Sequence, residues 1–173
     1  NSSSKPEEDQ SLGELIRLFS KARDWESHSE VYYLLGQASY HQGQLAPARN
    51  YYQQAIEESL KPGSRISRYL SDRIMLALAI LLGHDEHDFS GAIEHLDQLS
   101  DDNVDIAASA RLEHGYCLMH LGQLQEAEEK IRGGLSMARD QGQRWKIAHG
   151  LQYLALVLRQ QGDLGSLEEA TRH

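Results

Sequence analysis

The chain has 173 residues, three prolines, one cysteine and a formal net charge of −9. The acidic excess argues against nonspecific binding to nucleic acid or anionic lipid, since both need clustered Lys and Arg. No segment approaches the roughly 18 consecutive apolar residues that cross a bilayer, no charged start with an apolar run marks a secretory signal, and the lone Cys117 excludes an internal disulfide.

Residues 1–10, NSSSKPEEDQ, lack apolar side chains to bury and read as a disordered lead-in. A lone helix is predicted over 11–23. Ser11 caps it with Glu14 three residues on, and Leu12, Leu15, Ile16, Phe19 and Ala22 form its stripe. A helical hairpin is predicted over about 29–60. Tyr32, Leu35, Gly36 and Ser39 recur at helical spacing on its first helix, and Leu45, Ala48, Tyr52, Ala55 and Ile56 on its second. Gly36 and Ala48 lack bulk where the helices cross, so the backbones can approach closely. Gly43 frees the turn between them, and Pro47 falls in a first helical turn, where a missing N–H costs nothing.

A second, degenerate hairpin is predicted over 64–99, with Ser64 as cap and a long first helix from Arg65 to Leu82. Its turn, His84-Asp85-Glu86-His87-Asp88, has no glycine. A third hairpin spans 105–139 and a fourth 145–173, the last anchored only by Leu164, Leu167 and Ala170. The third repeats the first: Gly36, Gly43, Leu45 and Ala48 return as Gly115, Gly122, Leu124 and Ala127, each 79 residues on. Gly162-Asp163-Leu164 repeats the turn 40 residues after Gly122.

This layout resembles the tetratricopeptide repeat, a helix-turn-helix unit that stacks into arrays, here with a period near 40 residues. The resemblance implies an all-α fold, an α-solenoid of antiparallel helical hairpins wound into a right-handed superhelix. It also implies a concave groove lined by the first helix of each hairpin. The groove residues would be Tyr33, Gln37, Tyr40 and His41 from the first hairpin and Leu81 from the second. The third would add Leu112, Tyr116, Met119 and His120, and the fourth Gln152 and Arg159. His84, Asp85 and His149 fall at further groove-facing positions. The Lys and Asn with which some such domains grip a terminal carboxylate are replaced by Tyr33, Gln37, Leu112 and Tyr116, so chaperone-tail binding is not expected.

His84, His87, Asp85, Glu86 and Asp88 are the one dense set of ligand-type side chains, and they read as a solvated loop rather than a metal site. No phosphate-cradling glycine loop, zinc-protease helix or nucleophile elbow occurs. No catalytic residue, metal or cofactor is therefore expected, and Cys117 reads as a core thiol. The expected function is a protein–protein scaffold or adaptor that binds a peptide segment or helix in its groove, within a larger protein or complex. The alternative is a ligand- or peptide-sensing regulatory domain. An intracellular, cytoplasmic location is expected from the cysteine usage. Further repeats or self-association are expected at the edges near Leu12–Ala22 and Leu164–Ala170. The acidic run from Asp85 to Asp105 is a rival site.

Overall fold

The computed structural model describes residues 25–62, 64 and 66–162. They form seven α-helices and one π-helical turn, with no strand among them. The helices are α1 (Trp25–His41), α2 (Leu45–Ser59), α3 (Arg68–Ile80), α4 (Phe89–Leu96), α5 (Val104–His120), α6 (Leu124–Asp140) and α7 (Arg144–Gln161). The π turn, Leu81–Asp85, continues α3. The chain divides into two compact units, one ending at Ile74 and one starting at Met75. The lone helix over 11–23 and the anchors Leu164, Leu167 and Ala170 lie outside the described residues.

In the first unit α1 and α2 pair as a hairpin around Ala48, Tyr52 and Ala55, all buried. A Cβ on Gly36 would stand 2.5 Å from the Tyr52 ring, so only glycine fits that crossing. Tyr32 stacks on Tyr51, and Tyr33 tilts against Tyr52. The buried Ser29 hydroxyl donates to the Ala55 carbonyl at 2.6 Å and ties the two helices together. Helix α3 starts at Arg68, three residues later than expected from sequence. The Ser67 hydroxyl accepts from the Leu70 N–H, so Ser67 takes the capping place assigned to Ser64.

In the second unit α5 is the central helix and is buried along most of its length. It has no single apolar stripe because neighbours cover several of its faces. Gly115 would place a Cβ 2.5 Å from Ile131 and 2.8 Å from the Ala127 carbonyl. The core here joins Leu112, Leu118, Met119, Ile131 and Leu135 to Tyr153, Leu154, Val157 and Leu158 of α7. Asn103 caps α5 by accepting from the N–H groups of Asp105 and Ile106. Lys146, 2% exposed, donates to the carbonyl and carboxylate of Asp105 and joins the starts of α7 and α5.

Candidate functional site

In the first unit the expected site residues are held in place by one another. The Tyr33 hydroxyl accepts from Gln37 Nε2 at 2.8 Å and from Arg73 Nη2 at 3.2 Å. The Arg73 guanidinium lies 5.4 Å from the Tyr33 ring centre and 5.5 Å from that of Tyr69, a cation–π arrangement. Tyr33 is buried, Gln37 and Tyr40 are half-buried, and His41 is exposed with its ring edge-on to Tyr40.

The second unit gathers a denser set. The π turn, the start of α4, α5 and α7 contribute one continuous network of rings. His84 stacks flat on Tyr116, 4.2 Å between centres. Phe89 stacks on His120 at 4.5 Å, and His120 meets Tyr116 edge-on at 4.5 Å. Tyr116 tilts against Tyr153 at 4.9 Å, and His149 against Tyr153 at 4.3 Å. Within it lies Glu113, a buried carboxylate whose Oε2 is 2.7 Å from His84 Nε2 and accepts from the Tyr153 hydroxyl at 3.4 Å.

Electrostatics follows from this packing. Burial pulls the His84 pKa down, but the hydrogen bond and charge of Glu113, with Asp85 behind them, outweigh it, and the net shift is upward. His120 is held below its ordinary value by burial and by the positive charge that His87 and His84 acquire. Burial beside Glu113 raises the Tyr153 hydroxyl far above the phenol range. Burial also pushes the Cys117 thiol up to about 12, which makes it a poor nucleophile, consistent with its reading as a core thiol.

The site residues expected from sequence divide accordingly. Tyr116 is half-exposed and His120 exposed, both inside the ring network. Gln152 and Arg159 are exposed on α7. Leu81, Leu112 and Met119 are 0%, 1% and 3% exposed and offer no contact surface. Helical spacing put Leu112 and Met119 on the groove face, but α5 is covered on more sides than a two-helix hairpin requires, and Leu81 opens the π turn and is buried there. Glu113, Phe89 and Tyr153 carry the network and were not among the expected site residues, Phe89 being expected only as a helix anchor. The signal available was Glu113 within a helix whose neighbours Ala107, Ala108, Ala110, Leu112 and Gly115 are small or apolar.

His84 also departs from the solvated-loop reading, because it is stacked and hydrogen-bonded rather than free in water. Among the described residues no group of three His, Cys, Asp or Glu side chains is arranged to hold a metal ion. No helix among them is long and apolar enough to cross a membrane.

The acidic run is largely answered by local partners. Asp88 caps α4 by accepting from the Gly91 N–H at 2.9 Å. Asp97 pairs with His114, Asp101 with Arg111 and Asp105 with Lys146. Asp97, Asp101, Arg111 and His114 also border a cavity of about 650 Å³ reached by Glu126 and Lys130 of α6.

Two family models, both described as Tetratricopeptide repeat, match residues 29–60 and 85–143. No curated protein matches the chain. The matched ranges coincide with the α1–α2 hairpin and with the segment from the π turn through α6, where Gly36 and Gly115 permit the close helix crossings. With its all-α architecture and repeated glycine register, the chain belongs to the tetratricopeptide repeat family.

Proposed function

We propose that the chain is a scaffold or adaptor that binds a peptide segment or helix of a protein partner, as part of a larger protein or complex. Tetratricopeptide repeats are generally protein–protein interaction modules. The observation that carries the finer reading is the ring surface of Phe89, His120, Tyr116 and His84, partly exposed and preassembled by mutual stacking. Large rigid rings bury much area at little entropic cost and dominate contact energies. Their fixed positions mean that little ordering accompanies binding. Gln152 and Arg159, exposed on α7, would orient the partner by hydrogen bonds or charge; Tyr40 and His41 are candidate contacts of the first unit by itself.

The test is selection from a displayed random peptide library, followed by titration of the enriched peptides. Tyr116→Ala should weaken them by about 1–3 kcal/mol without loss of fold, while Glu129→Ala on α6 should leave affinity unchanged. Peptides that bind both variants as well as wild type would refute the reading. A non-catalytic role, as is typical of this fold, a cytoplasmic location and further association through residues 12–22 or 164–170 belong to the same proposal. The second reading, a ligand-sensing regulatory domain, draws support from the cavity bordered by Asp97, Arg111 and His114, which is large enough for a small molecule. A melting temperature raised by a small ligand but not by any peptide would favour it.

A further inference from the structure

Glu113 uses only half of its carboxylate. Oε2 is engaged by His84 and Tyr153, but Oε1 has only His149 Nδ1 nearby, at 3.9 Å, beyond hydrogen-bond reach. The side chain is 9% exposed, so this oxygen keeps spare acceptor capacity in a setting where little water competes for it. The charged side chains exposed on the turn beside His84 are acidic: Asp85, and Asp88, which also caps α4. The rings beside Glu113 present flat faces, which attract a planar cation more strongly than a compact one.

We infer that this surface receives a basic partner segment through an arginine side chain, its guanidinium stacked on the exposed rings and an N–H directed to Glu113 Oε1. The inference rests on the docking reading above and adds the chemistry of the occupant. Arginine fits better than lysine because it stacks and donates at the same time. The same geometry makes occupancy sensitive to protons. The π turn presents His84 and Asp85, and the segment before α4 presents His87 and Asp88. Helix α5 presents Glu113, Tyr116 and His120, and α7 presents His149 and Tyr153. A single buried carboxylate can compensate one imidazolium, so each further histidine that protonates repels a cationic occupant.

The test is an NMR titration of the intact chain with N-acetyl-arginine amide, with N-acetyl-citrulline amide as the neutral isostere. The arginine compound should shift the ring signals of Tyr116, His84 and His120 saturably, and the citrulline compound should not. Glu113→Gln should weaken the arginine compound about tenfold, whereas Glu129→Gln, which removes the same charge from α6, should leave it unchanged. Lowering the pH from about 7.5 to about 5.5 should weaken it severalfold as the histidines charge. If Glu113→Gln lowers the melting temperature, Tyr116→Leu and the pH series on wild type take its place, each with a severalfold loss expected. Equal shifts from citrulline, equal losses in Glu129→Gln, or no saturable shift up to about 50 mM would overturn the inference. Selected peptides that need Tyr116 but contain no arginine would overturn it while leaving the docking reading intact. The absence of any Tyr116-dependent peptide would overturn both.

Discussion

The turn between α5 and α6 and the turn between α3 and α4 reverse the chain at the same point of a repeat, but with different lengths. In the first, the Gln123 N–H reaches back five residues to the Leu118 carbonyl at 2.9 Å, with Gly122 left-handed at φ 80°. The turns at Gly43 and Gly142 use the same five-residue closure, Gln44 to Ser39 and Gln143 to Ala138. In the second, the Asp88 N–H reaches six residues back, to Leu82 at 2.8 Å. One extra residue has entered, and the chain absorbs it by widening Leu81–Asp85 into a π turn.

The left-handed place is kept, but His87 fills it at φ 58°. The capping side chain of Asp88 supplies a bond to the Gly91 N–H that the glutamine turns do without. The widened turn holds His84 against Glu113 and Tyr116. The regular turns serve the fold. The irregular one supplies a side chain to the ring surface, as π insertions often do at functional places.

The largest expected effect breaks the regular hairpin. Gly115→Leu would drive a side chain into Ile131 and the Ala127 carbonyl, and should cost about 3 kcal/mol in chemical denaturation. Gly83→Ala, beside the irregular turn, meets Cys117 Sγ at 3.1 Å and Ala92 Cβ at 3.6 Å, so it should cost about 1 kcal/mol or less. Equal losses would show that the two hairpins are packed alike.

The next effect tests the turns themselves. Gly122→Ala puts a Cβ at φ 80° with open space around it, and the strain alone should cost about 1–2 kcal/mol.

Acidity comes third, because the histidines of the second unit respond in opposite senses. His84, raised by Glu113, stabilises the fold below the ordinary histidine value of 6.5, and that contribution is lost as pH rises through its elevated pKa. His114 and His95 are lowered chiefly by burial, and His120 by burial and neighbouring histidines. Each of these destabilises the fold as pH falls below 6.5, because the unfolded chain takes up the proton first. The three lowered histidines predict a melting temperature that drops between about pH 6.5 and pH 5, whereas His84 adds stability as pH falls toward 6.5 and is constant below it. His114→Gln should flatten that drop, and His84→Gln should abolish the gain above pH 6.5.

The smallest effect is His87→Gly. It relieves the left-handed strain but gives the unfolded chain more freedom, so stability should change by less than about 1 kcal/mol. If it proved strongly destabilising, His87 would be held by contacts beyond its tilted approach to Phe89.

The α1–α2 and α5–α6 hairpins were legible because they follow from local rules. Apolar spacing marked the helices, and Gly36, Gly115, Gly43 and Gly122 marked positions where a Cβ cannot fit or where φ is positive. The missing glycine at 84–88 was legible as an irregularity, though its form was not. Two closures, five and six residues long, differ only in which carbonyl an N–H finds. Ser64 was expected as the cap, and the folded chain uses Ser67 instead.

The sequence by itself determined the repeat, the helix crossings and the acidic excess of charge, since each depends on residues close in the chain or on composition. Tertiary structure alone decided which neighbours on α5 are sealed and which are open. Leu112 and Met119 disappear into the core, while Tyr116 and His120, a few residues away, stay partly in solvent. It also decided that Glu113 meets a histidine 29 residues earlier and a tyrosine 40 residues later. Such pairs form only when separate helices stack. Their hydrogen bonds are strengthened by the low dielectric that remains once water is excluded, and no local pattern in the chain records that exclusion.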